Sequence, residues 1–172
     1  MSVCIEKASE YEIEELTKLR IAYLQEDFGN IAEQDLQCME EALPQYFKNH
    51  LNRDLTVLVA KENEKIVSCA FLLIVEKPMS PAFLTGKTGT VLNVYTKPEY
   101  RKKGYARQLM YALLSEAKER DFSSIISRIR EKQESKENEP SFLRATLKKR
   151  FASKNPLEDY HDAVALLDNY II

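Results

Sequence analysis

The chain has 172 residues, of which 44% are hydrophobic and 30% are charged, and its formal net charge is −2. This length suits one domain with a single core, and the charge argues against a general nucleic-acid binder, which needs many cations to face phosphates. No apolar run reaches the roughly 20 residues that span a bilayer or has signal-peptide character, so we expect a cytoplasmic protein without a membrane partner.

The first part of the chain is typical of one short strand followed by two helices. A strand over Val3–Lys7 precedes the capping-box pattern Ser9–Glu12, which predicts a helix that runs to about Gln25. A second helix is predicted over Glu33–Leu51, where Pro44 would kink or split it. The residues that set the spacing of the first helix are Ile13, Leu16, Arg20 and Leu24.

The middle of the chain changes to a strand pattern and then returns to a helix. β-Branched residues predict strands over Leu55–Ala60, Ile66–Glu76 and Thr88–Thr96. A helix follows from Gly104 to about Arg120, and one more strand is predicted over Ser123–Ile129. The order β-α-α-β-β-β-α-β, with hairpins and one strand–helix crossover, predicts an α+β or mixed α/β fold and not a doubly wound parallel sheet.

The C-terminal part has a different character, because a charged run follows Ile126. We therefore divide the chain into a folded domain, residues 1–130, and a charged linker with an amphipathic helical tail, residues 131–172. A short helix is predicted around Leu147, and a stripe of apolar residues predicts a helix from about Pro156 onward. That stripe needs a partner surface, which is either its own domain or a second subunit of a homodimer.

The cysteines and histidines do not suggest a metal site. Cys4, Cys38 and Cys69 lie far apart without a CxxC motif, so we expect reduced, buried thiols. The two histidines, His50 and His161, have no zinc-type spacing. No metal is therefore expected.

A basic turn that contains a glycine lies between the strand Thr88–Thr96 and the following helix. It reads Arg-Lys-Lys-Gly-Tyr-Ala-Arg over residues 101–107. A helix N-terminus offers unpaired N–H groups and a positive dipole end, and a glycine such as Gly104 lets the backbone approach a phosphate closely. The turn is a candidate anion site, although a solvated basic turn at a helix start has the same residues.

Together, the strand and the turn resemble the acetyl-CoA-binding motif of the GNAT superfamily of N-acetyltransferases. The phosphate loop of that family follows Gln/Arg-x-x-Gly-x-Gly/Ala, and the pattern here is Arg101-x-x-Gly104-x-Ala106. The resemblance covers roughly residues 3 to 126. It implies the acyl-CoA N-acyltransferase fold, with a central mixed sheet flanked by helices, and transfer of an acetyl group from acetyl-CoA to a primary amine.

The resemblance also implies which residues hold acetyl-CoA. The backbones of Val94, Tyr95 and Thr96 would hydrogen-bond the pantetheine arm as an added strand does. Transfer would be direct, without a covalent enzyme intermediate. The residues of the turn that would hold the pyrophosphate are Arg101, Lys102, Lys103, Gly104, Tyr105, Ala106 and Arg107.

Two side chains are candidates for proton transfer. Glu26, at the end of the first helix, is the candidate base for the amine proton, and a solvated carboxylate is the alternative interpretation. The family commonly supplies the acid for the leaving thiolate from a tyrosine motif, which is missing after Ile126. Tyr160 is the candidate acid that remains, and packing in the core is its alternative.

The altered C-terminal part favours a second hypothesis. The protein would then be an acyl-CoA-binding sensor or a catalytically impaired relative whose tail mediates assembly. The acceptor stays unidentified, because acceptor loops vary freely on such a scaffold. The aromatic residues that could line its pocket, or equally well pack in the core, are Tyr11, Tyr23, Phe28, Tyr46 and Phe83.

Overall fold

The computed structural model describes residues 3–81 and 84–122 and the backbone of two further strands, 124–130 and 144–150. The strands are β1 Cys4–Lys7, β2 Leu55–Glu62, β3 Lys65–Glu76, β4 Lys87–Thr96, β5 Ser124–Arg130 and β6 Arg144–Arg150. The helices are α1 Ile13–Phe28, α2 Glu33–His50 and α3 Tyr105–Glu119, with 3-10 turns at Glu10–Glu12 and Pro98–Tyr100. Within the described residues, no helix is long and apolar enough to cross a membrane.

The six strands form one sheet in the order β1-β2-β3-β4-β5-β6. Every neighbouring pair is antiparallel except β4 and β5, which run parallel because α3 carries the chain back between them. The predicted order of elements is confirmed through β5, and so is the mixed sheet flanked by helices.

Each face of the sheet carries its own hydrophobic core. The α3 face packs Leu72 and Val91 against Leu109 and Leu113 of that helix. On the opposite face, which we call the α1–α2 face, the residues that pack together include Leu16, Leu19, Phe47, Val57 and Phe71. Full burial of each such side chain contributes about 1.5–3 kcal/mol to folding, so the two cores fix the helices on opposite sides of the sheet.

The helix ends and the proline follow simple backbone rules. The carboxylate of Glu12 accepts hydrogen bonds from the Ser9 N–H at 2.8 Å and from the Ser9 hydroxyl at 3.0 Å, which confirms the predicted capping box. Pro44 neither splits nor ends α2, which continues to His50. A proline removes one helical hydrogen bond, and the rest of this 18-residue helix retains its own.

One prediction about the C-terminal part is wrong within the described residues. A short helix was expected around Leu147, but Arg144–Arg150 forms β6 and pairs antiparallel with β5. The apolar spacing from Leu147 to Phe151 is four residues, an even number that suits one face of a strand as well as one face of a helix. Pairing with β5 decides between the two. The tail helix expected from Pro156 lies outside the described residues.

The cysteines differ from their predicted environment. All three are free thiols, but only Cys69 is buried, whereas Cys4 and Cys38 are exposed. Cys69 lies in β3 on the α1–α2 face. Cys4 lies in the edge strand β1, and Cys38 lies in α2, whose only fully buried side chain is Phe47.

Candidate active site

A β-bulge in β4 sets the geometry of the candidate site. Asn93 pairs with Phe71 and Val91 pairs with Leu72, so Leu92 is an extra residue in β4. Val91 packs on the α3 face, whereas Leu92 packs on the α1–α2 face. The side chain of Asn93 also lies on the α1–α2 face, where it contacts Cys69. The bulge therefore turns two successive side chains towards α1 and α2.

The strands β4 and β5 part at the bulge. Their parallel pairing runs from Thr88–Ser124 to Val91–Ser127. Beyond this point β4 continues to Thr96 paired with β3, and β5 continues to Arg130 paired with β6. We call the opening between the two strands the fork. Its β4 side is formed by 92–96, which among the described residues no longer pair with β5.

The phosphate turn, residues 101–107, leads directly from the end of β4 into α3. Lys102 and Gly104 both have left-handed backbone conformations, with φ of 62° and 79°. Gly104 is the N-cap of α3, and its carbonyl oxygen accepts the first helical hydrogen bond from the Gln108 N–H at 3.1 Å. The N–H groups of the first turn have no acceptor within the helix.

Space beside Gly104 is open. A Cβ atom added there would meet no heavy atom within 4 Å. Ala106 is buried, while Lys102 is exposed. Lys103 lies 4.9 Å from the ring centroid of Tyr100 and 3.6 Å from the carboxylate of Glu62. The turn therefore combines positively charged side chains with a backbone that is open to close approach at Gly104. Both features suit an anion with several oxygens.

Four of the predicted site residues meet at the mouth of the fork: Arg101, Glu26, Tyr95 and Thr96. Arg101 donates through Nη2 to the carboxylate of Glu26 and through Nε to the carbonyl oxygen of Thr96 at 3.0 Å. Its guanidinium also lies 5.8 Å from the ring centroid of Tyr95. Burial and the nearby charge of Glu26 raise the pKa of the Tyr95 phenol, which also hydrogen-bonds to Glu26. The candidate base thus lies next to the strand that is predicted to bind the cofactor.

A second polar group crosses the α1–α2 face just inside the fork. Arg20 of α1 donates through Nη1 to Oδ1 of Asn93 at 3.0 Å. Asn93 is buried, and its Nδ2 lies 3.6 Å from Sγ of Cys69. Burial lowers the pKa of the Arg20 guanidinium, and it raises the pKa of the Cys69 thiol to about 12. Cys69 is therefore a neutral thiol, and Arg20 is the charged member of this group.

The other sequence candidates are scattered. Tyr23 and Tyr46 are half-buried near Arg20, the former with its ring centroid 5.6 Å from the guanidinium carbon. Tyr11 is 99% exposed, which excludes it from a pocket, and Phe28 is 62% exposed. The remaining two candidates, Tyr160 and Phe83, lie outside the described residues.

Sequence reasoning did not select Arg20 or Asn93 as functional residues, although each carries a visible signal. Arg20 occupies a position in the apolar spacing of the first helix, where a charge is out of place. Asn93 interrupts the apolar run of β4. A polar residue at a predicted buried position of two separate elements indicates that the two side chains pair.

Comparisons with known proteins agree with this geometry. The sequence profile of the acetyltransferase (GNAT) family matches residues 13–141. The crystal structure of a predicted acetyltransferase from Clostridium acetobutylicum, which contains acetyl-CoA, is 31% identical and has a TM-score of 0.65, over 73% of this chain and 80% of that chain. No curated protein sequence matches the chain.

More distant structures support the fold alone. The PaiA N-acetyltransferase from Thermoplasma acidophilum, in complex with coenzyme A, is 16% identical with a TM-score of 0.60, and the match covers 88% of this chain and all of that one. A ribosomal-protein-alanine N-acetyltransferase from Brucella melitensis biovar Abortus 2308 is 21% identical with a TM-score of 0.56, over 74% and 79% of the two chains. With the family profile covering most of its length, the chain belongs to the GNAT family of acetyltransferases.

Proposed function

We propose that the chain is an N-acetyltransferase that moves an acetyl group from acetyl-CoA directly to a primary amine. The proposal rests on one observation. The fork, the turn with Gly104 as N-cap and the N-terminus of α3 follow one another along one continuous segment, Val91–Arg107. The acetyl-CoA in the related Clostridium acetobutylicum structure gives it further support.

The segment fits the cosubstrate in shape and charge. The backbone of Val94–Thr96 would hydrogen-bond the pantetheine arm in the fork. The N–H groups of the first turn of α3 would hold the pyrophosphate, because Gly104 leaves open space there. Lys102 is exposed at the same turn and adds charge. Bound acetyl-CoA would supply an activated thioester, whose C–S bond is exchanged for a C–N bond to the amine.

The amine would approach from the α1–α2 face, since α3 covers the other face. A protonated amine is no nucleophile, so a base must accept its proton. We propose Glu26 for this role, acting directly or through one water, because it lies beside Tyr95 at the mouth of the fork. Its contact with Arg101 would orient the carboxylate. Tyr160 stays a prediction as the acid that protonates the leaving thiolate.

The decisive experiment separates binding from turnover. Titration calorimetry with acetyl-CoA measures binding, and a thiol reagent measures CoA release in a single turnover with a panel of amines. We expect binding together with amine-dependent release. Binding without release for every amine would favour the sensor hypothesis, whereas an absence of binding would overturn the proposal.

The remaining expectations stay predictions. These are the cytoplasmic location, the division at residue 130 and a homodimer formed through the tail. Light scattering on the full chain and on a chain ending at Ser135 would test the homodimer, since only the full chain should then dimerise. A monomer in both cases would exclude a role of the tail in assembly.

A further inference from the structure

The guanidinium of Arg20 has a distinctive position in the described part of the chain. It is half-buried beneath α1, donates one hydrogen bond to Asn93, and has no carboxylate within ion-pair distance among the described residues. Asp27 adds a nearby negative charge. A guanidinium has five N–H donors. Among the described residues, most donors of Arg20 therefore have no hydrogen-bond partner.

Through Asn93, Arg20 also contacts the part of β4 at which the proposed acetyl transfer would take place. Its partner Asn93 lies two residues beyond Val91, where the pairing of β4 and β5 ends. The next residue, Val94, begins the segment proposed to bind the pantetheine arm. Arg20 and Glu26 lie on the same helix, six residues or about 9 Å apart along its axis. Both side chains reach β4, Arg20 at Asn93 and Glu26 at Tyr95, two residues apart in that strand.

The surroundings of Arg20 are aromatic and half-buried. Tyr23 lies beside the guanidinium, with its ring centroid 5.6 Å away. Burial and the charge of Asp54 raise the pKa of Tyr46, and the nearby Arg20 opposes that rise. The two phenol rings come from different helices, and Arg20 itself is half-buried beside them. A low local dielectric strengthens a charge-assisted hydrogen bond.

From this geometry we infer that the amine acceptor also carries a carboxylate and that Arg20 binds it. An α-amino acid is the smallest acceptor of this kind. Its carboxylate would accept hydrogen bonds from the N–H groups of the Arg20 guanidinium that do not bind Asn93. Its amino group would then face the fork. This inference rests on the proposed function, of which it names the acceptor class.

A carboxylate suits the group better than a phosphate does. A phosphate would carry close to two negative charges and usually meets several cations. Within the described residues, the two other cations near this part of the α1–α2 face, Lys97 and Arg101, each contact a carboxylate, that of Glu15 and that of Glu26, so Arg20 is the one without such a partner. A planar carboxylate matches a single guanidinium edge in both charge and shape.

The test compares acids with their amides. Turnover and KM are measured for the twenty L-amino acids and for the corresponding L-amino acid amides, at one pH and at saturating acetyl-CoA. We expect at least one acid to bind roughly tenfold to hundredfold better than its amide, the range that a hydrogen bond to a charged group provides. The α-amine of an amino acid amide is also less basic than the α-amine of the acid. The acid-to-amide ratio of turnover and KM is therefore compared between the wild-type protein and each variant, because the difference in basicity cancels in that comparison.

The variants are Arg20→Gln and Arg20→Lys. Arg20→Gln should abolish the acid-to-amide preference, and Arg20→Lys should retain part of it, because lysine keeps the charge without the planar edge. Arg53→Gln is the matched control, since Arg53 is an exposed arginine in the turn before β2, away from the fork. Acetyl-CoA affinity should be unchanged in all three, which also reports on folding.

The outcomes distinguish the two proposals. If amides or polyamines react as well as amino acids in the wild-type protein, or if no acid binds or reacts while acetyl-CoA binds, the acceptor inference is overturned and acetyl transfer to other amines can stand. If acetyl-CoA itself does not bind, the proposed function fails as well. The comparison in the wild-type protein does not depend on any variant folding.

Discussion

Nη2 of Arg101 contacts both carboxylate oxygens of Glu26, at 2.5 Å and 2.7 Å. The two residues are 75 positions apart in the sequence. Because the same guanidinium donates to the carbonyl oxygen of Thr96, it joins the last turn of α1, the end of β4 and the start of the phosphate turn. The candidate base and the cofactor-binding segment are therefore one connected unit.

Substituting Glu26 by glutamine tests its role as the base. Glu26→Gln should lower kcat/KM for the amine by roughly 10²–10⁴-fold and remove the acid limb of the pH–rate profile, since the amide cannot accept a proton. The amide oxygen can still accept from Arg101, so acetyl-CoA affinity should change little. Glu15→Gln is the control, because Glu15 lies on the same helix and contacts Lys97 at 2.6 Å. Unchanged rates at both low and high pH in Glu26→Gln would exclude Glu26 as the base.

Gly104→Ala should weaken acetyl-CoA binding. The left-handed conformation of Gly104 costs an alanine about 1–2 kcal/mol, and the new methyl group would enter the space proposed for phosphate oxygens. We expect a Kd raised about 5–30-fold if strain of that size displaces the turn, as measured by calorimetry. Gly29→Ala is the control, with φ of 75° and equally open space at the end of α1. It should lower the unfolding temperature but leave the Kd unchanged; equal Kd values for both variants would contradict the prediction.

Tyr160→Phe tests the candidate acid in the C-terminal part. If Tyr160 protonates the leaving thiolate, the loss of its hydroxyl should reduce kcat roughly 10²-fold or more, while acetyl-CoA affinity is retained. Tyr170→Phe serves as the control, because Tyr170 is the other tyrosine after residue 126. Full turnover in Tyr160→Phe would eliminate the proposed role.

The three thiols should react with a disulfide reagent at different rates. Burial raises the pKa of Cys69 to about 12, so almost no thiolate forms near neutral pH, and reagent cannot reach it. Cys4 and Cys38 are exposed and should react quickly. Thiol titration of the folded protein should give two fast equivalents and release the third only after denaturation. A fast third equivalent would mean that the α1–α2 core opens readily.

Gly89→Ala should destabilise the sheet. A Cβ atom at Gly89 would lie 2.8 Å from Cδ1 of Leu72 and 3.0 Å from the ring of Phe122, both buried. Overpacking of this kind costs about 1–3 kcal/mol, which urea unfolding can resolve. Combining it with Leu72→Ala should cost less than the sum of the two single changes, because the cavity relieves the clash. Simple additivity would argue against the contact.

Local patterns in the sequence are sufficient to predict the strand, the turn and the helix of the candidate cofactor site. The strand Lys87–Thr96, the glycine at 104 and the helix after it lie within one short segment, so their order can be inferred without knowledge of the rest of the chain. The capping box at Ser9 is equally local. The assignment of acetyl-CoA to this segment came from a family resemblance and not from these patterns.

Contacts between distant segments could not be predicted in the same way. The approach of Arg101 to Glu26 and of Arg20 to Asn93 depends on how α1 packs on the sheet, and sequence spacing carries no such distance. The prediction of a helix around Leu147 is wrong for the same reason. The apolar spacing suits a helix and a strand equally well, and the pairing with β5 decides for the strand.

The bulge at Leu92 makes the length of β4 more important than the identity of many of its residues. Inserting one further residue between Asn93 and Val94 would exchange the faces of the side chains on one side of the insertion. Asn93 could then no longer contact both Cys69 and Arg20 while Val94 packs against α3. Over evolutionary time this strand should therefore accept substitutions more readily than insertions or deletions.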